Sequence, residues 1–464
     1  MSDAPLPTLL WAPRAWVDGR WAEAVLLRIG ADGCWAEVQP GVAAPRQAEV
    51  LPGPVLPGLV NAHSHAFQRA FAGLAERREA EADDFWSWRE RMYRVALRIT
   101  PAQLKAIAAQ LYVELLRGGY TQVCEFHYLQ HDTDGSRYAD PMTLAWSLAD
   151  AAAESGVGLT LLPVLYERAG FAQPALRDDQ RRFATTPADV VALHRAALGA
   201  RRPRMNAGVA IHSLRAARTD SIHKLRGLAE NLDGAIHIHA AEQTAEVDDC
   251  VAATGARPIE WLAREGLLDA RWQLVHATHA LPAEIDAVAK SGAGIVICPT
   301  TEANLGDGLP DLPRWLGAGV PIAVGSDSQV GRGWIEELRW LDYAQRLALR
   351  RRNVAAAPGA QPATAARLFG AALGAGAACA GFDKWGLQVG ARADFLVLDA
   401  NDTSLQGVPP SHTLDALVFS TPGDAIRDVA VGGSFVIRDR RHAAQEVIAR
   451  RFADAMSALW EGAG

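Results

Sequence analysis

The sequence lacks what a disulfide-bonded, membrane-spanning or nucleic-acid-binding protein needs. Its five cysteines, Cys34, Cys124, Cys250, Cys298 and Cys379, include no close pair. That excludes a disulfide framework and a thiolate zinc cluster, and leaves five thiols expected to be buried. Positive charge is not in excess: 46 Lys plus Arg against 53 Asp plus Glu gives a net charge of −7. No global field therefore draws the chain to nucleic acid or an anionic membrane, and an anionic ligand has to be met by local Arg or Lys. The least charged stretch, 368–382, is short of the ~20 apolar residues of a spanning helix and rich in Gly and Ala. The start, MSDAPLPTLLWAPRAW, has an early Asp and three prolines where a signal peptide has a basic stretch and an apolar run. The expectation is a soluble, cytoplasmic protein with no nucleic-acid or membrane partner.

With 464 residues, 49% of them hydrophobic and 21% charged, the chain can bury a large core. From about Leu56 to Val330 one pattern repeats: a short apolar run ending in polar residues, then a longer stretch rich in Ala, Leu, Glu and Arg. Eight such runs, from VLPGLVNAHSH through GAIHIHAAE to PIAVGSDS, predict parallel β/α units closed into a barrel. Helices are expected at 101–116, 142–154, 187–198, 246–265 and 282–290, several opening on Pro. The segment 66–100 after the first strand is unusually long and holds Gln68, Arg69, Trp86, Trp88, Arg89 and Arg91, as binding loops do. Short β-like runs in 1–55 and 386–438 are expected to pair into one small β-sandwich. The fold class is thus α/β: a distorted TIM (β/α)8 barrel over 56–385, flanked by a sandwich from 1–55 and 386–464, with a final helix near 443–460.

Eight of thirteen histidines sit at or just beyond predicted strand ends: His63, His65, His127, His212, His237, His239, His276 and His279. In a β/α barrel these ends converge on one mouth. His63 and His65 are two apart, so along a strand they share a face and can reach one cation. His239, His276 and Asp327 end other runs and extend the metal set. Three imidazoles and a carboxylate suit Zn²⁺, while iron and manganese stay open on ligand type alone. Asp327 in Ser-Asp-Ser also reads as a helix cap, and Glu242 in His-Ala-Ala-Glu as a first-turn acid at a helix dipole. The chemical reading makes Glu242 a proton shuttle and His276 a group that orients substrate or stabilises charge. His237 is expected in a lower, packing layer.

The segments HSHAFQRAFAGLAE (63–76), FWSWRERMYR (85–94), HIHAAEQTAEVDDC (237–250), LVHATHA (274–280) and TTEANLGDG (300–308), with Ser326-Asp327 and the late GARADF, resemble the amidohydrolase superfamily and, within it, the formimidoylglutamate deiminase family, over nearly the whole chain. The resemblance implies one zinc per chain on His63, His65, His239 and Asp327, with Glu242, His276 and Asp327 catalytic. No Lys stands near the end of the fourth strand run, NAGVAIHSLR, which independently disfavours a two-metal site bridged by a carboxylated lysine. The reaction implied is hydrolytic deimination of N-formimino-L-glutamate, a small dianion, in histidine degradation, and the assembly implied is a homodimer. For the two carboxylates the candidates are Arg89 and Arg215, with Gln68, Tyr128 and His212 as hydrogen-bonding partners. The alternatives are an amidohydrolase that deaminates a cyclic amidine such as a purine derivative, and a catalytically inactive scaffold, which should lack ligands. In one departure, Gln329, Val330 and Gly331 follow Ser-Asp-Ser where the family usually has His and then Val-Ser, which implies a changed contact beside the metal.

Overall fold

A computed structural model describes residues 9–78 and 83–461; residues 79–82 of the long first connection, and both chain tips, lie outside it. Eight parallel strands form the barrel in chain order: β1 (Leu59–Ser64), β2 (Tyr120–His127), β3 (Gly158–Leu165), β4 (Val209–Ser213), β5 (Ile236–Ala240), β6 (Trp272–His276), β7 (Gly294–Ile297) and β8 (Ile322–Val324). Each falls on one of the eight runs read from the sequence, β2 starting one residue ahead of its run, TQVCEFHY. β2, β3, β5, β6 and β7 are buried along their whole length, as strands covered by helices on one side and a filled lumen on the other must be. β8 returns to β1 through a parallel bridge between Ser64 and Asp327.

Helices alternate with the strands. Those at Pro101–Arg117 and Pro187–Gly199 start on Pro after a Thr cap that accepts a backbone N–H, Thr100 from Gln103 at 3.3 Å and Thr186 from Asp189 at 3.2 Å. The single helix expected over 246–265 is two, Thr244–Thr254 and Pro258–Arg264. Gly255 ends the first in the left-handed region (φ +73°), and Pro258 starts the second. The long first connection is ordered at 66–70 as a 3₁₀ turn and at α1 (Phe85–Ala96) as a helix. Arg182, fully buried, ties the end of α1 down: its guanidinium donates to the carbonyls of Ala96 and of Ile99 (2.9 Å), and its Nε to that of His131 (2.8 Å).

The two chain ends meet in a second sheet. Leu9–Val17, Arg20–Ile29 and Trp35–Gln39 form an antiparallel meander, and Val55–Pro57 joins it to Phe395–Leu398, Ile426–Val431 and Ser434–Arg438. Leu10, Val25, Trp35, Phe395 and Val397 make a core of their own there. The last helix, Gln445–Trp460, packs on the helix Pro101–Arg117. No helix among the described residues is long and apolar enough to cross a membrane.

Two short elements bear on the barrel mouth. α2 (Pro299–Leu305) follows β7, and buried Glu337 fixes its start by accepting from the Thr300 N–H at 3.0 Å and the Thr300 hydroxyl at 2.7 Å. A Cβ on Gly331 would sit 2.6 Å from Thr300 Oγ1 and 2.7 Å from Glu337 Oε1, so glycine there makes room for this pair. α3 (Thr364–Cys379) ends under the lumen. The Cys379 carbonyl accepts from His237 Nε2 at 2.9 Å, which places His237 in the lower layer, as expected.

Burial pushes the Glu337 carboxyl up to about 8, against the two Thr300 hydrogen bonds. Its folded value lies above its unfolded value, so the stability it contributes is complete below about pH 4.5 and is lost as pH rises through about 8. Glu337→Gln keeps an acceptor and removes that loss. The melting-temperature difference, variant minus wild type, should therefore grow between pH 5 and 8, by roughly 2–4 °C per kcal/mol relieved. A difference that does not change with pH would mean that Glu337 is ionised in the fold.

Candidate metal and active site

The donors are brought together by main-chain geometry at the strand ends. Asp327 N–H donates to the His63 carbonyl at 3.0 Å, and His65 N–H to the Asp327 carbonyl at 3.3 Å, so the bridge that closes the barrel also aligns three donor residues. Asp327 adopts φ +44° and Gln329 +70°, strained values for side chains with a Cβ, of the kind concentrated at functional sites. Gly325 is required by close approach: a Cβ there would lie 2.8 Å from His63 Cβ and 2.9 Å from the His63 N and O atoms.

A buried polar chain supports this turn. Asn61 Nδ2 donates to Ser326 Oγ (2.6 Å) and Ser326 N–H to Asn61 Oδ1 (2.9 Å). Ser326 Oγ donates to Gln329 Oε1 (2.8 Å), and Gln329 Nε2 donates to Ser64 Oγ (3.0 Å) and to the Asp327 carbonyl (2.6 Å). Ser64 Oγ donates to Glu125 Oε2 at 3.0 Å, and Ala66 N–H to Glu125 Oε1 at 2.6 Å. Gln329, the departure noted in the sequence, is thus fully buried and links β1 to the Asp327 turn.

His63 Nε2 lies 3.1 Å from His65 Nε2, 3.0 Å from His239 Nε2 and 3.5 Å from Asp327 Oδ1, and His65 Nε2 lies 3.4 Å from the same carboxylate oxygen. His65 Nδ1 donates to the Phe126 carbonyl at 2.9 Å, so in the neutral ring Nε2 carries only a lone pair. Burial pulls His63 down to about 3 and lowers His65 and His239, which keeps all three rings neutral. Burial acts to raise the Asp327 carboxyl, but its hydrogen bond with His63 and the positive charge of nearby His276 outweigh it and hold the group well below the usual range. Neutral imidazoles and an ionised carboxylate are the forms that bind a divalent cation. Metal–ligand bonds of about 2.0–2.1 Å put neighbouring donors roughly 3–3.5 Å apart; two triads lie with their donor atoms within 4.8 Å of one another, His63, His65 and Asp327, and His63, His239 and His276, with His63 common to both.

Beside the donors, His276 Nε2 lies 3.5 Å from Glu242 Oε1 and 3.9 Å from Asp327 Oδ2. Burial pushes Glu242 up to about 7, against the pull of His276. Burial opposes charge on His276, but Glu242, Glu302 and Asp327 prevail and push it up to about 10. Glu246 fixes the turn that carries Glu242 by accepting from the N–H groups of Ala241 (3.2 Å) and Glu242 (3.0 Å).

The same pocket also holds two cations. Arg89 and Arg215 are 9% and 7% exposed, and Arg89 Nε and Arg215 Nε and Nη1 have no hydrogen-bond partner. Both guanidiniums lie over the Trp86 ring, at 4.5 and 5.5 Å from its centroid. Gln68 Nε2 donates to the Tyr128 hydroxyl at 3.2 Å, and His212 packs 4.9 Å from His239. One pocket of about 40 Å³ is lined by His65, His239, Asp327, Glu242, His276, Gln68, Arg89, Tyr128, His212 and Arg215, with His63 fully buried beside it. A wider depression of about 620 Å³ outside it shares Arg89 and Arg215 as walls.

His127 and His279 also end strand runs but make no ring contact with the donor cluster: His127 Nε2 is buried without a partner, and His279 lies against Gly308. Sequence reasoning missed Glu246, Glu302, Asp307 and Cys298. Burial and Glu242 push the Asp307 carboxyl up to about 9, and Gln243 Nε2 donates to it. Cys298 Sγ falls within reach of the same space as His276 and Asp327. Glu302 and Asp307 lie in TTEANLGDG, a segment quoted for the resemblance; only the fold shows that they reach the site.

The comparisons agree with this architecture. A family model described as "Amidohydrolase family" matches residues 55–436. A formimidoylglutamate deiminase of Pseudomonas aeruginosa is 46% identical over 97% of this chain and 99% of its own length. A 5-methylthioadenosine/S-adenosylhomocysteine deaminase of Natronomonas pharaonis is 29% identical over 83% and 82%. Among solved structures, an amidohydrolase from Brucella melitensis superposes with a TM-score of 0.92 at 42% identity, covering 97% of this chain and 99% of the other. With a closed β/α barrel, histidine and aspartate donors gathered at its mouth and a family match over most of its length, this chain belongs to the amidohydrolase family.

Proposed function

We propose that this chain hydrolyses N-formimino-L-glutamate to N-formyl-L-glutamate and ammonia, a step of histidine degradation, in the cytoplasm, as a homodimer with one zinc ion per chain. The observation that carries this reading is the pair of buried guanidiniums, neither in a direct ion pair with a carboxylate among the described residues and both with unbonded N–H groups, in a pocket that also holds the donor cluster. Buried N–H donors left unbonded cost free energy, so the arrangement favours a ligand that brings its own carboxylates. A guanidinium grips a carboxylate with two parallel hydrogen bonds, and Tyr128, His212 and Gln68 add orientation. A purine deaminase has no comparable need for two such cations, and an inactive scaffold has no need for a full donor set.

His63, His65, His239 and Asp327 would hold the cation, whose chemistry is that of a Lewis acid that makes water acidic near neutral pH. Asp327, kept ionised by its imidazole neighbours, accepts a proton as water adds to the formimino carbon. Glu242, poised near neutrality, delivers a proton to the departing nitrogen, and His276 Nε2 steadies the charge that develops between them. The C–N bond breaks, ammonia leaves, and the former water oxygen becomes the formyl oxygen.

Purified protein should release ammonia and N-formylglutamate from N-formimino-L-glutamate, lose this activity to a chelator and regain it with Zn²⁺. Faster ammonia release from adenine or guanine derivatives would overturn the substrate assignment. Steady-state kinetics should divide the residues into two groups. Glu242→Gln should cut kcat about 10²–10⁴-fold. Arg89→Ala or Arg215→Ala should raise KM roughly 10- to 100-fold with a smaller change in kcat. Full activity in Glu242→Gln would remove it from proton transfer.

A further inference from the structure

Glu302 has no part in the chemistry above, yet it is 2% exposed and one of its oxygens does two jobs. Oε1 accepts the Cys298 N–H at 2.9 Å and faces His276 Nδ1 at 3.4 Å. A carboxylate only accepts, so His276 Nδ1 carries the proton of that contact. Cys298 directly follows β7, so the acceptor is pinned to the main chain where the strand turns into α2, and Glu337 fixes the start of α2 in turn.

The ring it faces stands on unusual backbone. His276 has φ +72° and Ala277 φ +50°, left-handed values that cost a side chain with a Cβ on the order of 1–3 kcal/mol. The Ala277 N–H donates to the Ala240 carbonyl at 3.1 Å, which holds this conformation. The imidazole then lies across the chamber, stacked on His239 at 5.5 Å between centroids. Stacking alone does not choose between a ring and its flipped form, since the two differ only in which edge carries nitrogen. A fixed acceptor at Nδ1 does choose.

We propose that Glu302 is the positioning residue of His276: by accepting from Nδ1–H it holds the ring in the one orientation that presents Nε2 to the space between Glu242 and Asp327. The claim about where the ring then acts rests on the deiminase reading; the claim about its orientation does not.

Glu302→Gln is the informative variant: its amide oxygen can keep the Cys298 N–H contact, while the charged acceptor that fixes His276 Nδ1–H is replaced by a weaker neutral one. It should keep the wild-type melting temperature and metal content. Its kcat on N-formimino-L-glutamate should fall about 10- to 100-fold, with KM within about threefold of wild type. Glu302→Asp, one methylene shorter, should not restore kcat. In protein carrying ¹⁵N-labelled histidine, the His276 ring signals, assigned through their loss in His276→Asn, should show a protonated Nδ1 in wild type and a weakened or exchange-broadened one in Glu302→Gln. Wild-type kcat in Glu302→Gln, or a kcat loss matched by lost folded or metal-loaded protein, would overturn the assignment, as would a wild-type spectrum with the proton absent from Nδ1. If the wild type released no ammonia from N-formimino-L-glutamate, the substrate reading would fail while the ring signals still decided the role of Glu302.

Discussion

The parallel bridge between Ser64 and Asp327 is the contact on which the other features depend. It joins the last barrel strand to the first, and its two hydrogen bonds, Asp327 N–H to the His63 carbonyl and His65 N–H to the Asp327 carbonyl, run through three of the four residues proposed to hold the cation. Closing the barrel and assembling the donor cluster are therefore one structural event. Gly325 permits the approach, and the chain Asn61–Ser326–Gln329–Ser64–Glu125 keeps the strained Asp327 turn from relaxing. A cation among these donors would stabilise the fold through the same atoms, because binding that exists only in the closed barrel adds to its stability.

Around this turn the pocket carries charge of both signs. Carboxyls from the connections after β5 and β7, Glu242, Glu246, Glu302 and Asp307, gather near His276, while Arg89 and Arg215 lie over Trp86, with Arg215 in electrostatic reach of Glu242 and Glu246. The acids are tied down individually: Glu246 by two main-chain N–H groups, Glu302 by Cys298 and His276, Asp307 by Gln243. The guanidiniums are held by aromatic faces, and their N–H groups stay available to a ligand. A net charge of −7 hides this pair of local cations beside the acids.

What could be read from the sequence followed from short-range regularities. The eight strands were legible as apolar runs with abrupt polar ends, and the His63–His65 spacing and the Asp327 position as strand-end chemistry. The helix expected over 246–265 came out divided because Gly255 and Pro258 act together within four residues, and periodicity alone passes over them. His127 and His279 looked equivalent to the donors because strand-end position does not say which way a side chain turns. The tie that Arg182 makes and the role of Glu302 were illegible for a different reason: Ala96 lies 86 residues from Arg182 and His276 lies 26 from Glu302, and Gln329, visible in the sequence only as a departure, reaches Ser64 across the barrel seam 265 residues away; only closure creates those contacts.

The central claim is that His63, His65, His239 and Asp327 share one cation and that the neighbouring thiol of Cys298 does not. X-ray absorption at the metal edge of the zinc-reconstituted protein tests this most directly. The account predicts three imidazole nitrogens and carboxylate or water oxygen at about 2.0–2.1 Å. A sulfur scatterer at about 2.3 Å, or fewer than three imidazoles, would contradict it.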